Sequence, residues 1–204
     1  MVAEIEVITS IGDHKRSTGV VGLDFQLGGG IPKGKTVIIY GDALSGCDRF
    51  AHQFWLADKS GESTYFMIDG KCEEGMIPAG DLSIEEIQSG MKGNWVVVDS
   101  LSSIIEKYGI KEAVSILTKG SEAILNSGGN IMMTLYRGIH SPQDETKIMR
   151  SADIFISLTD LMHGSEIERT LAINKIPGED VPRRAYPYNI MADGIELSTT
   201  ARVV

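Results

Sequence analysis

The sequence has few cysteines and no long apolar run. Its two cysteines, Cys47 and Cys72, are too few to build a disulfide framework or a zinc site. No stretch stays apolar over the length needed to cross a bilayer, and the first residues lack the apolar core of a signal peptide. We therefore expect a cytoplasmic protein that makes no membrane contact.

Basic charge is also scarce. The chain has 19 lysines and arginines against 28 acidic residues, which gives a formal net charge of −9. The basic residues are scattered, and Arg183 and Arg184 are the only pair of adjacent arginines. Because neutralising nucleic-acid phosphates requires clustered lysines and arginines, we expect no nucleic-acid partner.

The remaining composition is typical of a globular protein, with 42% hydrophobic and 23% charged residues. A chain of 204 residues is long enough to bury one large core. The sequence contains no internal repeat, linker or low-complexity segment. Residues 1–204 are therefore predicted to form a single domain.

Hydrophobic periodicity predicts an alternation of strands and helices. Strands are predicted at residues 36–40, 64–68, 95–98, 130–136, 154–158, 167–176, 185–191 and 195–197, and helices at residues 46–59, 83–91, 110–125 and 145–151. Alternation through residue 136 favours an α/β fold with a mostly parallel sheet covered by helices, and the β-rich last third predicts an antiparallel extension.

Residues 36–56 organise the chain. The β-branched apolar run at residues 36–40 predicts a buried strand, and Phe50 and Phe54 have helical spacing after the next loop. A strand, a glycine-bounded loop and a helix together form the layout of a phosphate-binding P-loop. The loop glycines, Gly41 and Gly46, have the spacing of that motif.

The loop departs from a working P-loop after its second glycine. That motif continues with Lys, which contacts phosphate, and then with Ser or Thr, which ligates Mg²⁺. This chain has Cys47 and Asp48 at those positions, and Asp42 adds a second carboxylate. The candidate phosphate loop comprises Gly41, Asp42, Ala43, Leu44, Ser45, Gly46, Cys47 and Asp48.

Further motifs resemble the RecA-like ATPases, most closely their KaiC-like branch, from Thr18 to about Val203. The motifs are Thr18-Gly19, Gly22-Leu23-Asp24, Leu27-Gly28-Gly29-Gly30-Ile31-Pro32-Lys33-Gly34, Phe50-Ala51-His52-Gln53-Phe54-Trp55-Leu56, Val96-Val97-Val98-Asp99-Ser100-Leu101, Ser151-Ala152-Asp153-Ile154-Phe155-Ile156-Ser157-Leu158 and Leu171-Ala172-Ile173-Asn174-Lys175-Ile176. The resemblance implies a RecA-type core whose relatives bind ATP between the subunits of a ring or filament.

The resemblance also assigns positions outside the loop. Asp99 matches the Walker B aspartate that holds Mg²⁺ through water, with capping of the following loop as its alternative role. Asp69 matches a catalytic glutamate but is one methylene shorter. Lys175 matches a basic residue that contacts the nucleotide of the neighbouring subunit, and a solvated lysine is the alternative. Arg137 and His140 match γ-phosphate sensors or lie in a plain surface loop.

A loop with two carboxylates and no ammonium repels a triphosphate. Each unit-charge pair at roughly 4 Å contributes about 4 kcal/mol at an effective dielectric constant near 20, before screening. We therefore expect Mg-ATP to bind at best weakly, and the chain to be a pseudo-ATPase with a regulatory or scaffold role. The alternatives are an ATP-binding protein or weak ATPase with an unusual phosphate loop, and a DNA-recombination accessory protein.

Two further expectations concern redox chemistry and assembly. Cys47 at a helix N-terminus could have a lowered pKa and pair with Cys72, although no C-x-x-C motif supports this. Residues 5–8 contain a short alternation of apolar and polar side chains, which predicts a strand. Such a strand can pair with a sheet edge of its own chain or of a neighbour. We expect weak, nucleotide-independent self-association, as a dimer or a partner-dependent complex.

Overall fold

A mixed β-sheet of nine strands runs through the molecule, which we describe from a computed structural model covering residues 14–198. Its strand order is β11-β10-β9-β8-β3-β7-β6-β4-β5, and a small separate sheet pairs β1 with β2. The strands are β1 Lys15–Arg16, β2 Ile31–Pro32, β3 Thr36–Gly41, β4 Tyr65–Met67, β5 Ile77–Pro78, β6 Trp95–Asp99, β7 Asn130–Tyr136, β8 Ile154–His163, β9 Glu166–Lys175, β10 Tyr186–Met191 and β11 Gly194–Leu197.

Six neighbouring strands of the sheet, in the order β8-β3-β7-β6-β4-β5, are parallel. Strands β9, β10 and β11 extend the sheet beyond β8 with antiparallel pairings. This arrangement confirms the predicted α/β fold with a parallel core and an antiparallel C-terminal part. The predicted strand formed by residues 5–8 lies outside the described residues. None of the helices within residues 14–198 is long and apolar enough to cross a lipid bilayer.

Helices cover both faces of the sheet, because alternate side chains of the central strands point in opposite directions. Val37 and Ile39 pack with the helix Cys47–Leu56 on one face, whereas Ile38 and Tyr40 belong to the core on the other face. The helices are α1 Val21–Gln26, α2 Cys47–Leu56, α3 Ile84–Gly90, α4 Leu101–Tyr108, α5 Ile110–Leu117, α6 Glu122–Asn126 and α7 Pro142–Ser151.

The segment before β3 fixes the position of α2. Gly19 has φ of +83°, and a Cβ there would collide with the backbone carbonyl of Gln53 in α2. Asp24 accepts hydrogen bonds from the backbone N–H of Thr18, at 2.8 Å, and from its hydroxyl, at 2.7 Å. Gly19 therefore allows close packing against α2, and Asp24 holds the turn around Thr18 that precedes it.

The secondary structure departs from the prediction in several places. The helix predicted at residues 110–125 ends at Leu117 because Thr118 leaves the helical region (φ −110°, ψ −91°), and a 3₁₀ turn, Lys119–Ser121, separates it from α6. The helix predicted to run to residue 59 ends at Leu56. The sequence reasoning missed helices α1 and α4.

Candidate functional site

The candidate site lies where the parallel strands β3, β4, β6 and β7 end. A cavity of about 250 Å³ opens there beside the loop between β3 and α2. Polar, charged and aromatic side chains predominate around it, and the lining residues are Ala43, Asp48, Arg49, His52, Tyr65, Met67, Asp69, Gly70, Lys71, Glu73, Met76, Asp99 and Tyr136. The sheet thus brings together the predicted residues Asp48, Asp69 and Asp99.

The loop keeps a tight backbone turn. Gly46 has φ of +88° and ψ of 22°, a left-handed conformation that favours glycine, and it precedes the first residue of α2. The backbone N–H of Ser45 donates to the carbonyl of Asp42 at 3.0 Å, and the Ser45 hydroxyl donates to the same oxygen at 2.7 Å. Ala43 and Leu44 are exposed at the tip.

Side chains of the loop itself fill the space inside the turn. A Cβ on Gly41 would lie 3.0 Å from the sulfur of Cys47 and would collide with the Ser45 hydroxyl. Cys47 has no exposed surface, and its Sγ lies 3.3 Å from Ser45 Oγ. The first helical side chain therefore points into the protein and presents no charge to a ligand.

Burial raises the pKa of the Cys47 thiol to about 12, while the hydrogen bond with Ser45 lowers it in part. Asp48 and Asp99 raise the same pKa further. The thiol is therefore neutral at physiological pH. This is the opposite of the lowered pKa expected at a helix N-terminus, and Cys72 is exposed on a separate loop.

Two of the cations beside the loop, Arg137 and Arg49, are engaged by the protein. Arg137 lies with Nη1 3.5 Å from Asp42 Oδ2, and it also donates to the carbonyl of Leu158 at 3.3 Å. Arg49 lies 4.0 Å from the Asp48 carboxylate and donates to the carbonyl of Ala192 at 2.9 Å. Both guanidinium groups thus pair with the two loop carboxylates.

The C-terminal hairpin of β10 and β11 packs against the loop, a contact that sequence reasoning missed. The buried hydroxyl of Tyr188 donates to the carbonyl of Ser45 at 2.6 Å. Gln53 in α2 exchanges two hydrogen bonds with the backbone of Ile195, at 2.7 and 3.1 Å. These partners are about 140 residues apart in the sequence, and no local motif indicates them.

Asp99 ends β6 with 2% of its surface exposed. Tyr65 donates its hydroxyl to Asp99 Oδ2 at 2.7 Å, and Thr134 donates to Oδ1. Burial raises the pKa of the Asp99 carboxyl, and the two hydroxyl donors oppose that rise. Both oxygens of the predicted Walker B aspartate therefore already have partners within the sheet.

Asp69 lies two residues beyond the end of β4. Its carboxylate accepts a hydrogen bond from Ser100 Oγ at 2.8 Å and another from Ser103 Oγ. Ser100 is also the N-cap of α4, where its hydroxyl accepts from the backbone N–H of Ser103 at 3.2 Å. The carboxylate predicted at the catalytic position is therefore attached to the start of α4.

Lys175 lies away from the cavity, at the C-terminal end of α7. Its ammonium donates to the carbonyls of Met149, Arg150 and Ala152, the last turn of that helix. A cation at this end of a helix is stabilised by the helix dipole. A contact with the nucleotide of a neighbouring subunit remains a prediction, as does γ-phosphate sensing by Arg137 and His140.

The residues present do not fit Mg-ATP as they stand. The loop interior is filled by Ser45 and Cys47, and the cavity brings together three aspartates. Within residues 14–198, no group of three or more His, Cys, Asp or Glu side chains is arranged to hold a metal ion.

Comparisons by sequence give no match. No model of a known protein family matches the chain, and neither does any curated protein sequence. The fold does match solved structures, among them the crystal structure of the KaiC-like protein PH0186 from the hyperthermophilic archaeon Pyrococcus horikoshii OT3. The TM-score is 0.71 at 19% sequence identity, over 90% of this chain and 98% of that one.

The chain has a KaiC-like fold of the RecA type. This confirms the fold that the motifs between Thr18 and Ile176 predicted. At 19% identity the match establishes the architecture alone. The residues of the loop, and not the match, indicate what the loop does.

Proposed function

We propose that this KaiC-like protein is a pseudo-ATPase that acts as a regulatory or scaffold protein without using Mg-ATP. The observation that carries the proposal is the state of Cys47, a neutral thiol with no exposed surface at the position of the P-loop lysine. A thiol buried inside the turn supplies neither the charge nor the reach that a β- or γ-phosphate contact requires.

Electrostatics supports the same proposal. Asp48, Asp69 and Asp99 line the cavity together. The cations in the same lining are Lys71, which lies after β4 outside the loop, and Arg49, which is hydrogen-bonded to the C-terminal hairpin. A phosphate at roughly 4 Å from one of these carboxylates is repelled by about 4 kcal/mol at an effective dielectric constant near 20. Losing the lysine attraction adds to this repulsion.

The position of Asp69 argues against hydrolysis. An activating carboxylate needs a free oxygen within hydrogen-bond reach of the attacking water. Ser100 and Ser103 both donate to Oδ2 of Asp69 and hold the carboxylate at the start of α4, which leaves Oδ1 as its one available oxygen. From that fixed position the side chain, a methylene shorter than the glutamate of the resembled family, has less reach toward an attacking water. We therefore assign Asp69 the role of fastening β4 to α4.

Isothermal titration with Mg-ATP tests the proposal. We expect no binding in the micromolar range and no ATP turnover above background. The repaired variant, Cys47→Lys with Asp48→Thr, should bind Mg-ATP measurably, because it restores the phosphate and magnesium contacts while Gly41 and Gly46 remain. Its turnover should stay low because Asp69 is unchanged.

The variant Cys47→Ala with Asp48→Ala is the matched control. It removes one carboxylate without adding an ammonium, so its affinity should rise less than that of the repaired variant. Thermal unfolding of all three proteins checks that the buried position tolerates the changes. A micromolar or tighter dissociation constant for the unaltered protein would refute the proposal, and rapid turnover by the repaired variant would show that Asp69 suffices.

A further inference from the structure

The C-terminal hairpin, residues 186–197, has a sparse backbone attachment to the sheet. Its strand β10 pairs with β9 at only two positions, Tyr186 with Leu171 and Pro187 with Thr170. By comparison, β8 and β9 pair at nine positions. Within the described residues β11 pairs only with β10. Beyond Pro187, side-chain contacts therefore hold the hairpin to the rest of the fold.

Some of those contacts are made with the candidate loop. Tyr188 is buried, and its hydroxyl donates to the carbonyl of Ser45 at 2.6 Å. Ile190 and Ile195 lie against Gly46, where a Cβ would be 3.3 Å from both side chains. The hairpin thus lies directly on the backbone that forms the tight turn of the loop.

The hairpin is also fastened to the helix that follows the loop. The side-chain amide of Gln53 in α2 donates to the carbonyl of Ile195 at 3.1 Å and accepts from its backbone N–H at 2.7 Å. Arg49, the first residue after the loop, donates to the carbonyl of Ala192 at 2.9 Å. The hairpin, the loop and α2 are therefore joined by more polar contacts than the two-residue ladder with β9 supplies.

We propose that the C-terminal hairpin is a lock on the candidate loop. While the hairpin is docked, Tyr188 and Gln53 hold the loop closed and keep the Cys47 thiol inside the turn. When the hairpin is displaced, the loop opens and Cys47 reaches solvent, whereas the parallel strands stay folded. The hairpin and the loop therefore form one unit with two states.

Burial determines which state dominates. Tyr188, Ile195 and Leu197 are buried, so undocking of the hairpin exposes apolar surface to water. The closed state is therefore the dominant one in the isolated chain. A partner protein that binds the undocked hairpin would shift the equilibrium toward the open loop, in proportion to its preference for that state.

The lock supplies a means of control for the proposed regulatory role, and it rests on that role only for its biological meaning. Both states are defined without nucleotide, because the contacts that distinguish them lie within the chain. The coupling is reciprocal, so a change that loosens the hairpin must also loosen the loop. This reciprocity makes the inference testable in the isolated protein.

Hydrogen exchange followed by mass spectrometry tests whether the hairpin opens separately. Local opening exposes little surface, so low urea concentrations should leave its exchange rate unchanged. We expect peptides from residues 186–197 to show this behaviour, whereas peptides from β7 should exchange only through global unfolding. A hairpin that exchanges as slowly as β7, with the same dependence on urea, would overturn the lock.

Variants test whether the hairpin controls the loop. Tyr188→Phe removes the hydrogen bond to the Ser45 carbonyl, and it should speed exchange of the hairpin about tenfold. Gln53→Ala removes the second fastening and should act in the same direction. In a Cys72→Ser background, a disulfide exchange reagent should label Cys47 of the folded double variant, whereas the background protein stays unlabelled over the same period.

Tyr186→Phe and Gln88→Ala are the matched controls. Tyr186 is a buried tyrosine on the same strand, but its hydroxyl makes no hydrogen bond with any residue between 14 and 198. Gln88 is a half-buried glutamine of α3, a helix that packs on the other face of the sheet. Both controls should leave the exchange of the hairpin unchanged and Cys47 unlabelled.

Urea unfolding of each variant, followed by circular dichroism, separates local opening from global unfolding. Labelling of Cys47 in proportion to the globally unfolded fraction would overturn the lock, and so would equal effects of Tyr188→Phe and Tyr186→Phe. Tyr188→Phe keeps the buried ring, so it remains informative if the double variant does not fold.

Calorimetry with Mg-ATP separates the lock from the proposed function. Tight ATP binding by the unaltered protein, together with labelling of Cys47 in the folded double variant, would refute only the pseudo-ATPase. A hairpin that never opens separately, in a chain that binds no ATP, would refute only the lock.

Discussion

Cys47 occupies the one position of the loop where a phosphate-binding side chain would be most effective. It has no exposed surface, and burial raises its pKa to about 12. At about pH 8, fewer than one thiol in a thousand is then ionised, and the thiolate is the reactive form. Cys72, by contrast, is exposed on the loop after β4.

We therefore predict that a disulfide exchange reagent at about pH 8 labels one thiol per folded chain rapidly and the second only after unfolding. Absorbance of the released thiolate measures both stages. The Cys72→Ser variant should lose the rapid stage entirely, which assigns it. Two rapid thiols in the folded protein would show that the loop opens readily and that Cys47 is accessible.

Sequence reasoning could identify the acids of the site but not their partners. Asp99 and Asp69 follow predicted strands, and parallel strands bring their carboxyl ends to one edge, so the meeting of the two acids was predictable. The donors Tyr65, Thr134 and Ser103 are 34 or 35 residues away from the acids that they contact. Their placement depends on strand order and register, which local periodicity does not contain.

Among the elements, the attachment of α2 depends on a glycine remote from the loop. Gly19 has a positive φ and lies against the backbone of Gln53 and Phe54. Gly128 has nearly the same φ, +85°, but no atom lies within 4 Å of the position that a Cβ would occupy there. An alanine would therefore be strained in the same way at both positions, and only at position 19 would its Cβ also collide with other atoms.

We predict that Gly19→Ala lowers the free energy of unfolding by about 3 kcal/mol or more, because strain and a backbone collision add. Gly128→Ala should lower it by only about 1–2 kcal/mol, the contribution of the left-handed conformation alone. Urea unfolding followed by circular dichroism gives both values. Equal losses would mean that the segment around Gly19 moves away from α2 without penalty.

The helices show where local signals are sufficient. Ser83 and Glu86 form a capping box, with hydrogen bonds of 3.2 and 2.7 Å, and α3 begins at Ile84, within one residue of the predicted start at residue 83. The predicted long helix from residue 110 failed because apolar spacing continues across Gly120 while the backbone turns. Helix α4 was missed because its N-cap, Ser100, and its first residue, Leu101, were assigned to the motif of the preceding strand.

At the scale of the molecule, the parallel core was predictable because its strands are short apolar runs separated by helical patterns. The antiparallel extension was also predicted, but not its packing against the candidate loop. Tyr188 of the hairpin donates to Ser45 of the loop, and Gln53 of α2 accepts from Ile195 of the hairpin. Both contacts form only when the whole sheet is assembled. The position of the loop therefore depends on the C-terminal hairpin.

The charge distribution of the whole molecule gives the last prediction. We expect neither duplex nor single-stranded DNA to bind at about 0.15 M salt, because a net charge of −9 repels the phosphate backbone. Lys111, Lys147 and Arg150 line a groove between α5 and α7, but they do not reverse this expectation, since three cations that share the groove with the apolar side chains of Ile110 and Val114 are too few to neutralise a phosphate backbone. Fluorescence anisotropy with labelled oligonucleotides, at low and at physiological salt, measures the affinity.

Binding at low salt alone would be the ordinary non-specific attraction of a local positive patch, and it should disappear as salt rises. Lys111→Glu combined with Arg150→Glu provides the control, because any such attraction to the groove should vanish in that variant. Submicromolar binding at physiological salt would contradict the prediction. It would favour a role in DNA recombination over a scaffold role.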